Sequence, residues 1–271
     1  MQTPSVLKKG DTDSSVLSLK QQLALSSVPP ADIVLNEIFD ESTEHWVMAY
    51  QTSVGLVVDG IVGDKTRSVL NLGTKSAALL GHQDLERAAD SLNIPLAVMR
   101  ALNEVISLGM GFVDHGLASI RFERHIFYAR LKRNGHHIKK LSVMYPDLVN
   151  PEVGDHLTGM LEWTRLHRAM SIDKQAAVES TAWGAFQTMG FHWKALKYAS
   201  VDEFVSKMNR SEAMQLEAFV RFVKAHPPLQ RALQQINFTD FARLYYGVAY
   251  AKGQYDLKIA KAFVKYSKNR G

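Results

Sequence analysis

Apolar residues recur at three-to-four spacing through most of this chain, the pattern of helices with one buried face. Near the start, Val16, Leu19 and Leu23 follow a Gly10-Asp11 turn and predict a first helix. A short pattern then occurs twice. Phe39-Asp40 is followed by Thr43 and Trp46-Val47-Met48, and Val62-Gly63-Asp64 by Thr66 and Val69-Leu70. Each reads as a turn, a threonine near a helix N-terminus and a short amphipathic helix, with Gly55 and Asp59-Gly60 punctuating the joins. The prediction is a small three-helix domain over residues 1–73 with two related halves, followed by a short linker over 74–82 between Gly73 and Gly81.

From residue 83 to 271 the helical pattern resumes as a second domain. Segments 84–92, 94–106, 157–170, 203–208, 211–225, 229–235, 238–247 and the C-terminal run all carry it. Pro95 stands where a helix should begin, and Pro227-Pro228 where one should end. The exception is 112–124. There Asp114-His115-Gly116 separates Phe112-Val113 from the alternating Ile120 and Phe122, which predicts a turn and a short β-hairpin. The expected fold class is mainly α with one small hairpin.

At 271 residues, 46% hydrophobic and 22% charged, the chain is long enough for two modest cores and is not a disordered sequence. No apolar run approaches the roughly 18 residues of a membrane span, so no stable membrane insertion is expected. The opening MQTPSVLKKGDTDSS lacks the apolar stretch of about 7–15 residues that marks a secretory signal. Synthesis in a cytoplasm is therefore expected, with a separate release step if the protein works outside. The absence of cysteine excludes disulfides, thiol catalysis and cysteine-based metal sites. The net charge of +5 is uneven. Residues 1–75 hold 6 Lys+Arg against 9 Asp+Glu, and the remainder holds 26 against 18. A basic second part suits an anionic polymer such as nucleic acid, cell wall or a lipid surface, or serves solubility alone.

Candidate chemistry concentrates in ALNEVISLGMGF, residues 101–112. On a helix running from Pro95 to Leu108, Val98, Met99, Leu102, Val105 and Ile106 form the buried stripe. Glu104 sits on the adjoining row beside Ala97, Ala101 and Leu108. Small apolar surroundings and a nearby helix C-terminus both disfavour negative charge. An acid kept protonated near neutral pH suits protonation of a leaving oxygen, and the Gly109-Met110-Gly111 turn would let a sugar polymer approach the backbone. The alternative for Glu104 is a solvated surface acid. Glycosidic cleavage commonly uses a second carboxyl. Glu123 follows nineteen residues later on the predicted hairpin; its alternative role is a salt bridge with Arg121 or Arg124.

Two resemblances extend this reading. Leu7, Gly10-Asp11, Val16 and Leu19, then Phe39, Thr43, Tyr50-Gln51, Gly55-Leu56, Asp59-Gly60-Ile61-Val62-Gly63 and Thr66, resemble the peptidoglycan-binding domain of bacterial and phage wall hydrolases over residues 5–71. That resemblance implies Tyr50, Gln51, Leu56 and Asp59 as wall-binding residues. Asp13 and Lys20 depart from its usual Gly and Gln. ALNEVISLGMGF, SIRFERHIFYARL, DKQAAVESTAWGAFQTMGFHW, SEAMQLEAFVRFV and FARLYYGVAY with YDLKIAKAF resemble the N-acetylmuramidase domain of modular phage endolysins, over about residues 83–266. The resemblance implies a lysozyme-like helical body with a hairpin beside the cleft. Glu104 would be the catalytic acid and Glu123 its partner, with Ser180, Trp183, Gln187, Met189, Tyr245 and Tyr246 binding substrate. Ile106, Thr188 and Tyr246 stand where that family usually has Glu, Ile and Asn. The implied function is cleavage between N-acetylmuramic acid and N-acetylglucosamine by a monomer acting in the periplasm after release.

Other residues add less. His82, His115, His125 and His136-His137 show no metal-binding spacing such as HExxH, so neither metal nor cofactor is expected. His125 is read as a hydrogen-bonding residue behind Glu123. Trp163, Trp183 and Trp193 could stack on sugars or fill the core, and only Trp183 gains from its motif. The tail LKIAKAFVKYSKNRG is either a packed last helix with a solvated lysine face or a weak contact for an anionic outer membrane. Competing functions are a lytic transglycosylase, which cuts the same bond without water, and an inactive wall-binding protein. No nucleic-acid recognition motif is present.

Overall fold

The computed structural model describes residues 6–26, 34–107, 109–247 and 249–268. The chain divides into two compact units, Met1–Leu85 and Glu86–Gly271.

The first unit holds α1 (Ser14–Ala24), α2 (Glu41–Ser53) and α3 (Asp64–Leu72). Asp13 caps α1 by accepting from the Ser15 amide, and Asp40 caps α2 by accepting from both the amide and the hydroxyl of Thr43. These bonds hold both carboxyls below the usual carboxylate range. Val16, Leu19, Leu23, Phe39, Trp46, Val47, Tyr50, Leu56, Val62 and Val69 close one core. Two antiparallel bridges, Leu7 to Val62 and Thr12 to Ile38, stitch the turns together. Residues 74–81 form no regular element, and α4 (His82–Leu92) follows.

The second unit is helical around a small sheet. Its helices are α5 (Leu96–Ile106), α6 (Arg124–Arg133), α7 (Ile138–Met144), α8 (Met160–Met170), α9 (Lys174–Glu179), α10 (Val201–Met208), α11 (Glu212–Ala225), α12 (Pro227–Gln234), α13 (Phe238–Tyr246), α14 (Ala249–Gly253) and α15 (Tyr255–Lys268). Pro95 is the N-cap of α5, and Pro227 starts α12 where its missing N–H costs nothing. Trp163, Trp183, Phe122, Phe127, Phe204 and Leu166 anchor the main core. The last helix packs along α5 through Ile259, Ala262 and Tyr266, with Lys258, Lys261 and Lys268 exposed and Lys265 reaching Glu104 on α5. The packed-helix reading of the tail therefore holds for its described part. Among the described residues, no helix is long and apolar enough to cross a membrane.

The sheet corrects one detail of the predicted hairpin. Strand β1 (Ile120–Phe122) pairs antiparallel with β2 (Thr181–Trp183), in register Ile120 to Trp183, and β2 turns back onto β3 (Thr188–Met189). Residues 112–118 close a tight turn with a single Phe112–Ala118 bridge and a Val113 N–H to Leu117 carbonyl bond of 2.8 Å. The hairpin of the sheet is therefore β2–β3. The alternation at Ile120 and Phe122 was a true strand signal, but its partner lies some sixty residues downstream, beyond the reach of a local pattern.

Candidate active site

A groove of about 490 Å³ lies where the end of α5, the β2–β3 turn and helices α11, α13 and α15 converge. Val105, Ile106 and Ser107 line it from α5, and Gln187, Thr188 and Met189 from the turn and β3. The aromatic side comes from Phe219 and Phe222 on α11, Tyr245 and Tyr246 on α13, and Tyr255. These rings brace one another. Tyr246 stacks on Tyr255 at 3.8 Å between centroids, Phe186 on Phe219 at 5.4 Å, and Tyr245 on Phe241 at 5.5 Å. Ring faces braced in this way present fixed apolar platforms with polar tips, which suits the C–H faces of sugars. Burial pushes both Tyr245 and Tyr246 above the usual phenol range, so their hydroxyls stay protonated. His192, also in the lining, is pushed down to about 4 by burial first and then by His226 and Arg130, and is a neutral imidazole near pH 7.

Beside this groove lies a second depression of about 400 Å³, lined by Glu104, Val105, Tyr255, Lys258, Lys261, Ala262 and Lys265. Val105 and Tyr255 belong to both. Glu104 thus stands at the junction, with its side chain 34% exposed. The Tyr266 hydroxyl donates to Glu104 Oε2 at 2.6 Å, and Lys265 Nζ approaches the same oxygen at 3.2 Å. Among the described residues, Oε1 has no partner. This corrects the small apolar surround expected from sequence. Ala101 is buried on its own helix, Leu108 lies outside the described residues, and the groups that touch the carboxyl are an ammonium and a hydroxyl from α15. The buried stripe also ends earlier than expected. Val98, Met99 and Leu102 are core, whereas Val105 and Ile106 face the groove.

Glu123 is placed differently. Its side chain is only 8% exposed, and it sits at the N-cap of α6. Arg121 Nε donates to Oε1 at 3.0 Å, while His156 Nε2 lies 3.1 Å and His125 Nδ1 3.5 Å from Oε2. Glu123 does not line the groove; Arg121 does. The carboxyl expected as the second catalytic group is thus buried outside the groove lining, and it makes the Arg121 salt bridge that was its alternative role. His125 stands beside it at 3.5 Å, but its buried Nδ1 makes no hydrogen bond among the described residues, so the hydrogen-bonding role read from sequence is not seen.

The other sequence candidates separate into groove and core. Gln187, Met189, Tyr245 and Tyr246 are brought together in the lining, with Gln187 in a left-handed turn braced by its own Nε2–H to the Gly184 carbonyl. Ser180 and Trp183 are corrections. Ser180 is fully buried below β1, and Trp183 is 1% exposed, packed edge-on to Trp163 and Phe204 with its N–H on the Val178 carbonyl. Of the four expected wall-binding residues in the first unit, three are buried and Asp59 is partly exposed. Tyr50 and Leu56 are core. Gln51, 1% exposed, donates to Asp59 Oδ1, the Ile61 carbonyl and Thr66, and accepts from the amides of Asp59 and Gly60. Lys20 does the equivalent for the first half, binding the Val34 carbonyl and Asn36. A side chain closing a loop from inside is unavailable to a ligand.

Some groups that build the site were not singled out from sequence. Gln215, fully buried, accepts from the Ala185 amide and donates to the carbonyls of Gly111 and Met208, while Glu212 accepts from the Gly111 amide at 2.8 Å. A Cβ at Gly111 would fall 2.3 Å from Gln215 Oε1, and one at Gly184, where φ is +72°, would fall 2.5 Å from the same side chain. Gly111 therefore serves close packing, not sugar approach, and this bolt fixes the β2–β3 turn against the loop after α5. The SEAMQLEAF motif contained both polar residues, Glu212 and Gln215, at the three-residue spacing of one helix face, the available signal. Tyr255, Lys265 and Tyr266 are the other additions.

Residues 95–267 match the family model described as N-acetylmuramidase, and residues 12–70 match the model described as "Putative peptidoglycan binding domain". No curated protein gives a significant match. The chain is similar to the solved structure of a Burkholderia AP3 phage endolysin, with 44% identity, a TM-score of 0.91, and coverage of 97% of this chain and 100% of that one. The muramidase model spans most of the chain and contains the groove and both acids, so the chain belongs to the N-acetylmuramidase family and is a peptidoglycan-binding muramidase.

Proposed function

We propose that the groove holds a peptidoglycan strand and that Glu104 protonates the oxygen bridging N-acetylmuramic acid to N-acetylglucosamine. The observation that carries this is the asymmetry of its carboxyl. Oε2 is fixed by Tyr266 and Lys265, whereas Oε1 has no partner among the described residues, and Glu104 lines the depression that shares Val105 and Tyr255 with the groove. A fixed acid with one open oxygen can meet a leaving group without reorganising. As the glycosidic C–O bond breaks, the proton goes to the departing sugar; water then adds to the anomeric carbon and its released proton returns to Glu104, restoring the acid. The aromatic wall with Gln187 and Met189 orients the sugars. Glu123 acts one step back, holding Arg121 in the groove wall.

Residues 1–73 would hold the wall and 83–271 cut it, with 74–82 as the linker. Since Gln51 and Asp59 are spent on the fold, wall contact in the first domain falls to the exposed surface around them. The protein would work as a monomeric lysis enzyme, made in a cytoplasm and acting on the periplasmic wall after release, as expected of a chain similar to a phage endolysin.

A second reading has one observation in its favour. Glu104 is the sole carboxyl among the residues lining the groove and its neighbouring depression. Single-acid cleavage with internal closure of the muramic acid would give 1,6-anhydro ends. Mass spectrometry of digested wall separates the outcomes: new reducing ends support hydrolysis, and anhydro ends replace it with the second reading. Undiminished cleavage by a folded Glu104→Gln protein would remove Glu104 as the acid under either.

A further inference from the structure

The depression beside the groove carries more positive charge than an acid needs. Lys258, Lys261 and Lys265 line it from one face of α15, spaced three and four residues apart. Lys265 is engaged by Glu104. Lys258 lies over the Tyr255 ring at 5.3 Å, and among the described residues neither Lys258 nor Lys261 has an acidic partner. Lys265 already holds one carboxyl group, that of Glu104, and the depression shares Val105 and Tyr255 with the groove.

In peptidoglycan, carboxylates are supplied by the short peptides attached to muramic acid, which branch from the sugar next to the bond being cut. We propose that the Lys258–Lys261 face is a subsite for the carboxylates of these stem peptides, so that the enzyme prefers glycan bearing charged peptides. The ammonium groups would lie beside the scissile linkage, with Tyr255 as the shared wall between sugar and peptide. The proposal rests on the reading that the groove takes the glycan, but not on Glu104 being the acid.

The test uses the full-length protein and soluble, uncross-linked glycan strands whose peptide amines are acetylated. One batch keeps its peptide carboxyls and the other has them converted to neutral methylamides. Two partly exposed ion pairs should give a preference of about 3–10-fold in kcat/KM for the charged batch, read mainly in KM and reduced by salt. Lys258→Gln/Lys261→Gln should bring that ratio close to one, and Lys258→Arg/Lys261→Arg should keep it. A wild-type ratio of one, or a ratio that survives the Gln pair, overturns the subsite. A preference for added phosphate-bearing wall polymer, unchanged by methylamidation, would also overturn it. The failures are distinguishable: loss of Glu104 as the acid shows in the Glu104→Gln products and leaves the ratio intact.

Discussion

The two acids of the muramidase unit stand in opposite situations, although each is held by basic groups. Glu104 is 34% exposed, with both donors on one oxygen and no partner on the other among the described residues. Glu123 is 8% exposed, with Arg121 on one oxygen and His156 and His125 at the other. The second arrangement satisfies a buried charge and leaves nothing over for chemistry. The first leaves an oxygen uncommitted at the edge of a groove. Having a charged partner does not by itself separate the two; the proposed acid differs in keeping one oxygen without a partner among the described residues.

Exchanging each acid for its amide is the strongest way to break this comparison. Glu104→Gln should lower turnover by about 10²–10⁴-fold, the usual contribution of a positioned proton donor, with stability within about 0.5 kcal/mol of wild type. Glu123→Gln should do the reverse. Losing the anion that three basic side chains face should cost about 1–3 kcal/mol in a denaturant melt, with a smaller fall in turnover through a loosened Arg121. If Glu123→Gln were as stable as wild type and as inactive as Glu104→Gln, the roles assigned to the two would be wrong.

How far this was legible in the sequence follows from the range of the interactions. Helix positions came from local spacing, and Pro95, Pro227 and the Asp40–Thr43 pair at the start of α2 act within one turn. Glu104 stood out as an acid next to an apolar stripe. Its environment did not, because Lys265 and Tyr266 are more than 160 residues away and nothing local encodes their arrival. The same limit hid β2 as the partner of β1 and Gln215 as the bolt on Gly111. Motif residues such as Ser180, Trp183 and Gln51 were legible as important but not in kind. A fold-holding position and a ligand-holding one leave the same trace in a motif, and only burial separates them.

Tyr266→Phe sharpens the comparison on the Glu104 side. It removes the 2.6 Å donor to Oε2 while keeping the ring that is buried against α5. A hydrogen bond to a charged group is worth about 1.5–3 kcal/mol, of which a positioning role should surface as roughly tenfold in kcat. KM should stay within about twofold, because the hydroxyl does not line the groove. A fall confined to KM would make Tyr266 part of the binding surface instead.

His192 gives the smallest effect and tests the groove between these assignments. It packs against Phe191, Phe222 and His226, with ring centroids at 4.3, 4.9 and 6.1 Å. Burial, followed by His226 and Arg130, lowers it from 6.5 to about 4. A base depressed on folding binds fewer protons folded than unfolded between those values. Its stabilising contribution is complete above about pH 6.5 and is lost as pH falls towards 4. The full shift would convert to about 3 kcal/mol, but the ring is only part-buried and solvent screening reduces this to about 1 kcal/mol. Melts of wild type and His192→Gln at about pH 7 and about pH 4.5 measure it. Wild type should lose about 1 kcal/mol more than the variant across that interval. Equal losses would mean that the imidazole accepts its proton without cost, and the groove would then carry a cation in weak acid where its aromatic wall now presents a neutral face.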